Sequence, residues 1–355
     1  MSNNNNNMGA IFNCFDDCSD KEKDKKAEQN INTIIGKYTP YSCIEKLDTN
    51  DLSYEKLKKH IKNNIIKVMK GNGGIINSDN FDNEYQLLTN YIDYDEEHMN
   101  QLNQSNMKLC RYSDITTYIY NTITIGPKKK FINASSIDIY SKHNSIATQG
   151  PKKDTIEDFW TMVDEYNCSI IIMLCNLEEG GREKCALYWD TNYDFKNYKL
   201  ENLSEDSDDD KMDDNKIVTR KFKLTNIKKN TEKIITQYHY KGWPDHGVPV
   251  MEDAYKAFKF LFEEVKKKNQ EQSAVVHCSA GVGRTGTFLS LYYLYLEIME
   301  QINKPDINEI KFSIFNIVRK LKEMRAYLVQ TNTQYKFIYD FIACFLEEYN
   351  KNSLK

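Results

Sequence analysis

Apolar positions along this chain follow two periods, and the switch between them lays out the elements. From Leu52 to Met69 the apolar residues Leu52, Leu57, Ile61, Ile65, Val68 and Met69 recur at helical spacing, until Gly71, Gly73 and Gly74 break the pattern. That stripe predicts a lead helix packed on the main domain. Short runs rich in β-branched residues predict strands at Ile170–Leu174, Lys216–Leu224, Lys233–Tyr240 and Ala274–His277. Longer stretches predict helices over 155–166, 251–268, 285–302, 311–324 and 332–349. Mixed strands followed by a helix-rich C-terminal half imply an α/β (α+β) domain of roughly 270–310 residues. No internal repeat is present.

Composition sets the boundaries of that domain. Residues 1–37 are Asn-rich and then Lys/Glu/Asp-rich, which predicts a disordered N-terminal tail. The main domain then occupies 38–350, and 351–355 form a short C-terminal tail. Met8-Gly9 with Cys14 and Cys18 faintly suggests lipidation, but Asn13 stands where the myristoylation pattern wants Ser or Thr, so a solvated tail is the reading. An acidic run, SEDSDDDKMDD, fills an insertion at about 202–215 between two predicted strands. Asp206, Asp208 and Asp210 alternate as in a calcium loop, yet Lys211 and Ile217 occupy the positions that need Gly and Glu. A solvated, mobile hairpin insertion is expected instead.

Charge and cysteine usage exclude several classes. A formal net charge of −4 without a strongly basic domain argues against nucleic acid as the main partner. No stretch approaches the roughly 18–20 consecutive apolar residues of a membrane span, and the N-terminus lacks the apolar run of a secretory signal. Nine cysteines, an odd number without paired spacing, suit free thiols in a reducing compartment, so the cytoplasm is expected and no zinc site is read.

The chemistry concentrates in Ala274–Gly286, AVVHCSAGVGRTG. A short apolar strand ends at His277, and the five residues Ser279, Ala280, Gly281, Val282 and Gly283 separate Cys278 from Arg284. A helix follows near Thr285. Such a strand–loop–helix can curl its backbone N–H groups around one tetrahedral oxyanion, with the helix N-terminus adding its dipole. The same field favours a thiolate, the charged and nucleophilic form, at Cys278. Arg284 offers a planar fork for two phosphoryl oxygens. Upstream, Trp243-Pro244-Asp245-His246-Gly247-Val248-Pro249 is stiff at its prolines and mobile at its glycine, a loop able to swing Asp245 over a bound substrate as general acid. His277 has two readings: it tunes the thiolate through hydrogen bonds, or it is simply buried at the strand end.

From about Tyr38 to Tyr349 the chain resembles the tyrosine-specific, non-receptor, single-domain branch of the protein tyrosine phosphatases. HCSAGVGRTGTF and WPDHGVP carry the likeness most specifically, with IATQGPKKDTIEDFW, FINAS, GREKCALYW and VQTNTQYKFIYDFI in the family's order. The resemblance implies the cysteine phosphatase fold, a highly twisted mixed β-sheet flanked by helices. It also implies site roles. Tyr112 would wall a deep phosphotyrosine pocket, and Asp114 would accept backbone N–H groups of the substrate. Glu179 would orient Arg284, and Lys184 would lie near the closed Asp245 loop. Thr285 would stabilise the departing thiolate, while Gln330 and Gln334 would place the hydrolytic water. Without the resemblance, Glu179, Lys184, Gln330 and Gln334 read as ordinary surface residues. Two positions depart from the family's habit: Cys110 replaces an Asn before Arg111-Tyr112, and Tyr327 replaces a small Gly before Gln330.

The expected reaction is hydrolysis of phosphotyrosine in proteins through a phosphocysteine on Cys278, with Asp245 as acid and then as base, reversing tyrosine kinase signalling. No cofactor and no metal are expected, because Arg284 and the backbone cradle supply the charge stabilisation. Phosphotyrosine-containing proteins are the expected partners of a monomer. The competing readings are a dual-specificity or lipid phosphatase, a catalytically dead phosphotyrosine-binding scaffold, and a recruiting role for the N-terminal tail.

Overall fold

The computed structural model describes residues 85, 88, 89, 104–139, 144–204, 215–268, 272–303, 310 and 312–353. The predicted N-terminal tail, the predicted helix over Leu52–Met69 and residues 205–214 of the acidic insertion lie outside the described residues.

One 8-stranded mixed sheet forms the centre. Its strands are β1 (Thr122–Ile125), β2 (Lys130–Ile137), β3 (Ser145–Thr148), β4 (Cys168–Met173), β7 (Tyr198–Asn202), β8 (Ile217–Asn226), β9 (Thr231–Tyr240) and β10 (Ser273–His277). A separate small hairpin joins β5 (Glu178–Glu179) to β6 (Arg182–Glu183). The spatial order is β1-β2-β3-β10-β4-β9-β8-β7. The middle pairs, β3 with β10, β10 with β4 and β4 with β9, are parallel, while both flanks are antiparallel. Sequence explains the difference. β4 (CSIIIM) is buried at every position, as a strand covered on both faces must be. β8 instead alternates buried and open residues, one face packed and one wet.

Helices flank the sheet: α1 (Gln104–Leu109), α2 (Ile156–Glu165), α3 (Met251–Lys268), α4 (Gly283–Ile302), α5 (Ile314–Met324) and α6 (Asn332–Ser353). α4 is apolar around nearly its whole circumference and is buried from Thr285 to Leu296. A helix of that kind belongs inside a core rather than on a surface. Phe258 and Phe262 of α3 meet Phe288 of α4 with ring centroids at 5.4 and 5.3 Å, and Phe341 of α6 closes the cluster. α2 brings Phe159 and Trp160 against Tyr188 at 4.7 and 5.9 Å.

The register gathers the functional loops. Thr148, His277, Met173 and His239 lie side by side near the C-terminal ends of the parallel strands. The segments that follow them carry Gln149-Gly150, Cys278, Glu179 and Asp245. Ligand sites of α/β sheets form at such strand ends, where several connections emerge together.

Among the described residues the predicted strands and helices appear at the predicted places, with ends shifted by a few residues. β1, β2, β3, β7 and the β5–β6 hairpin come in addition. α6 continues through Ser353, so the predicted tail over 351–355 begins as helix.

Candidate active site

β10 delivers Cys278, a free thiol only 4% exposed, to the base of the loop that leads into α4. The loop's carbonyls are pinned outward one by one. Cys278 O faces His277 Nδ1 at 3.1 Å, and Ser279 O accepts from Gly150 N at 2.9 Å. Ala280 O accepts from Arg325 Nη2 at 3.2 Å, and Gly281 O from Arg325 Nε at 2.9 Å. Val282 O accepts from Gly286 N at 2.8 Å and from Val329 N at 3.2 Å. In a trans peptide the N–H points opposite to the C=O. Holding these carbonyls outward therefore turns the N–H groups of Ser279 to Gly283 toward the loop's own interior, above Cys278. At Gly281 φ is +72°, and a Cβ there would collide with the Thr148 carbonyl, so this turn requires glycine.

Arg284, in the first turn of α4, gives its terminal nitrogens to Glu179. Nη1 bonds Oε1 at 2.6 Å and Nη2 bonds Oε2 at 2.7 Å, with Leu174 O at 3.1 Å from Nη1 and Pro244 O at 3.1 Å from Nη2. Burial opposes the Arg284 charge, but the Glu179 carboxylate outweighs it and raises the guanidinium above its ordinary value. Glu179 is buried at the tip of the β5–β6 hairpin rather than on the surface.

Ser279 links two walls. Its hydroxyl donates to Lys184 O at 2.9 Å and accepts from the Tyr112 hydroxyl at 2.9 Å. The half-buried Lys184 thus contributes its backbone, and Tyr112 is tied to the loop it is expected to border. Arg111 braces the same segment, donating from its backbone to Gln149 Oε1 at 2.8 Å and from its side chain to Gly150 O at 3.0 Å and Pro151 O at 2.7 Å. Cys110 accepts from Asn133 Nδ2 at 3.2 Å, and burial pushes its thiol up against that hydrogen bond. Asp114 is exposed beside this segment.

His277 lies at the end of β10, directly before Cys278. It is fully buried, and it is wired to the loop. A carbonyl can only accept, so Nδ1 carries the proton toward Cys278 O, and Nε2 accepts from the Tyr188 hydroxyl at 2.9 Å. Gln237 Nε2 donates to that hydroxyl at 2.6 Å, and Arg220 Nη1 donates to Gln237 Oε1 at 3.0 Å. Burial drives the His277 imidazole down to about 4, so it is neutral near pH 7.

Gln330 and Gln334 reach the loop from its far side. A Cβ at Gly283 would stand 3.2 Å from Gln330 Oε1 and 3.0 Å from Gln334 Nε2, which places both amides over the first residue of α4. Gln334 Oε1 accepts from Gln330 N at 2.9 Å. Thr285 is fully buried, and among the described residues its hydroxyl has no hydrogen-bond partner. Asp245 is exposed on the loop after β9. A Cβ on Gly180 would lie 3.7 Å from its Oδ2, so its carboxyl group rests beside the β5–β6 hairpin. Trp243 anchors that loop, buried against Phe258 at 5.9 Å, its indole N–H donating to Gly247 O at 3.2 Å. Among the described residues no group of three or more His, Cys, Asp and Glu side chains converges as metal ligands would.

The Protein-tyrosine phosphatase family model matches residues 106–344. The chain belongs to that family. Its fold is accordingly the cysteine phosphatase fold. Tyrosine-protein phosphatase 99A of Drosophila melanogaster is 36% identical over 278 residues, covering 73% of this chain and 20% of that protein. Receptor-type tyrosine-protein phosphatase alpha of Homo sapiens is 34% identical, over 69% of this chain and 30% of the relative. Tyrosine-protein phosphatase non-receptor type 20 of Rattus norvegicus is 36% identical, over 65% of this chain and 53% of the relative. The chain thus spans from about a fifth to about half the length of these three relatives. No helix among the described residues is long and apolar enough to cross a membrane.

Several residues of this candidate site were not legible in the sequence. Arg325 holds two loop carbonyls, yet in the sequence it is one basic residue near the end of a helix. Arg111, Gln149, Asn133, Tyr188, Gln237 and Arg220 act through partners 17 to 192 residues away. Nothing local marks either arginine, since Arg220 is followed by Lys221 and Lys223 and Arg325 comes after Lys322 and Glu323, as on any solvated stretch.

Proposed function

We propose that this protein hydrolyses phosphotyrosine in proteins through a phosphocysteine on Cys278. Five consecutive loop carbonyls pinned outward, leaving their N–H groups to converge above Cys278, carry this reading. The cradle binds the phosphoryl dianion, and Arg284, oriented by Glu179, holds the equatorial oxygens as charge shifts in the transition state.

In the first step the Cys278 thiolate attacks phosphorus, the P–O bond to tyrosine breaks, and Asp245 gives its proton to the leaving oxygen. In the second, water held by Gln330 and Gln334 gives its proton to Asp245 and attacks the phosphocysteine, releasing inorganic phosphate. The Thr285 hydroxyl then stabilises the freed thiolate. Tyr112 and the loop wall of Ser279 make a pocket whose depth favours the long phosphotyrosine side chain, and Asp114 accepts the substrate's backbone N–H groups. Lys184 supports the wall through its carbonyl. The substrates are phosphotyrosine-bearing proteins, met by a monomer in the cytoplasm, with no cofactor consumed.

Hydrolysis of matched phosphotyrosine and phosphothreonine peptides by wild type, Cys278→Ser and Asp245→Ala tests this. Turnover confined to phosphotyrosine, abolished in Cys278→Ser and strongly slowed in Asp245→Ala, is expected. Equal turnover of both peptides would favour a dual-specificity enzyme, and binding without turnover a scaffold.

A further inference from the structure

Two non-glycine residues in the segment before Gln330 have left-handed backbone: Tyr327 at φ +63° and Val329 at φ +60°. For a β-branched residue this region is a genuine outlier, and strain of that kind persists only where the surroundings enforce it. The surroundings of Val329 do so from three sides. Its N–H is fixed to Val282 O at 3.2 Å, on the phosphate loop itself. Its carbonyl accepts from the Tyr85 hydroxyl at 3.2 Å, across 244 residues of sequence. Gly286 of α4 leaves room for it, because a Cβ there would collide with Val329 N.

Tyr85 is itself held. Its ring lies 6.0 Å from that of Tyr335 on α6, and the Lys322 ammonium of α5 sits 5.7 Å from its centroid. The two peptide units that flank Val329 are therefore anchored at both ends, one to the phosphate loop and one to Tyr85. Gln330 comes next in the chain, so the direction in which its side chain leaves the backbone follows from the Val329 torsions. That direction carries the amide over Gly283.

We infer that Val329 and Tyr85 are positioning residues for the second chemical step: the strained Val329 peptide, clamped by the Tyr85 hydroxyl, aims Gln330 at the hydrolytic water. The inference rests on the two-step reading above. Neither residue touches the reacting atoms. Neither is needed to form the phosphocysteine, which depends on Cys278, Arg284 and Asp245.

Rapid-quench kinetics on an aryl phosphate, with wild type, Tyr85→Phe and Val329→Gly, tests it. Tyr85→Phe keeps the ring and its contacts and removes one hydroxyl. Val329→Gly relieves the strain and frees the torsions at the cost of a buried side chain. Both variants are expected to show kcat reduced about fivefold or more with kcat/KM within about twofold of wild type, because only the step after leaving-group departure is slowed. A burst of phenol close to one per enzyme and accumulated phosphoenzyme go with that split. Melting temperatures tell a positioning effect from unfolding, and Tyr85→Phe is expected to melt close to wild type. The inference is overturned if Tyr85→Phe matches wild type in every rate, or if kcat and kcat/KM fall together without accumulated phosphoenzyme. A wild type that turns over with Cys278→Ser still active, and no phosphoenzyme in any protein, instead overturns the two-step reading beneath it.

Discussion

Each carboxylate oxygen of Glu179 receives a hydrogen bond from a different terminal nitrogen of Arg284, at 2.6 and 2.7 Å. The pair is largely withdrawn from water, and its geometry is that of a fork on a fork. It fixes the plane of the guanidinium before any substrate arrives, so no free energy of binding is spent on orienting it.

Replacing Glu179 by Gln keeps the shape and removes the charge. The loss of charge-assisted hydrogen bonds, about 1.5–3 kcal/mol, predicts that kcat/KM for a phosphotyrosine peptide falls roughly 10- to 100-fold. Steady-state kinetics checks this, and a fall in orthovanadate affinity should accompany it.

Arg325 holds the loop from outside. Burial drags its guanidinium down to about 10, which still leaves it charged at pH 7. Arg325→Met strands Ala280 O, Gly281 O and Asn133 Oδ1, and each buried group left unpaired costs about 1–3 kcal/mol. The expected outcome is a lower melting temperature together with orthovanadate affinity reduced by at least about 100-fold. If the melting temperature fell while orthovanadate still bound normally, the loop would not depend on Arg325 for its shape.

How much of this was legible beforehand differs between fold and site. Cys278, Arg284 and Asp245 sit in short, contiguous motifs whose backbone requirements are local, and a sequence reports local requirements well. β4 and β10 announced themselves as apolar runs. β2, by contrast, reads KFINASSI, and its Asn, Ala and Ser have weak strand propensity and are buried without alternation, so no period of two marks it. β3 has only the four residues SIAT. The supporting network was illegible for a different reason. Arg220, Gln237, Tyr188 and His277 come from three strands and a loop, and nothing in their spacing says that β8, β9 and β10 will bring them into one chain of hydrogen bonds.

That chain makes stability depend on pH. Burial keeps His277 neutral down to about 4, whereas an unfolded chain protonates its histidines near the ordinary value of about 6.5. The unfolded state therefore binds the extra proton, and stability is full above about 6.5 and lost as pH falls from there to about 4. For His277 this loss is about 3 kcal/mol. His239, pushed down to about 3 by burial and the nearby Arg220 charge, acts in the same direction. Urea unfolding at pH 7 and pH 5 is expected to show a clear drop, and His277→Gln should be less stable at pH 7 but shallower across that interval.

A general-acid role for Asp245 predicts a dependence on the leaving group. Asp245→Asn is expected to slow a phosphotyrosine peptide by roughly 10²-fold or more. An aryl phosphate with a strongly acidic phenol, which departs without a proton, should be slowed far less. A uniform loss across both substrates would mean that Asp245 binds rather than protonates.

The most direct measurement is mass spectrometry of the protein quenched in acid during turnover of a phosphotyrosine peptide, in wild type and in Gln330→Ala. The two-step account predicts a phosphoryl adduct that maps to Cys278, absent from Cys278→Ser and more abundant in Gln330→Ala. Rapid release of inorganic phosphate with no adduct on Cys278 in either protein would contradict it.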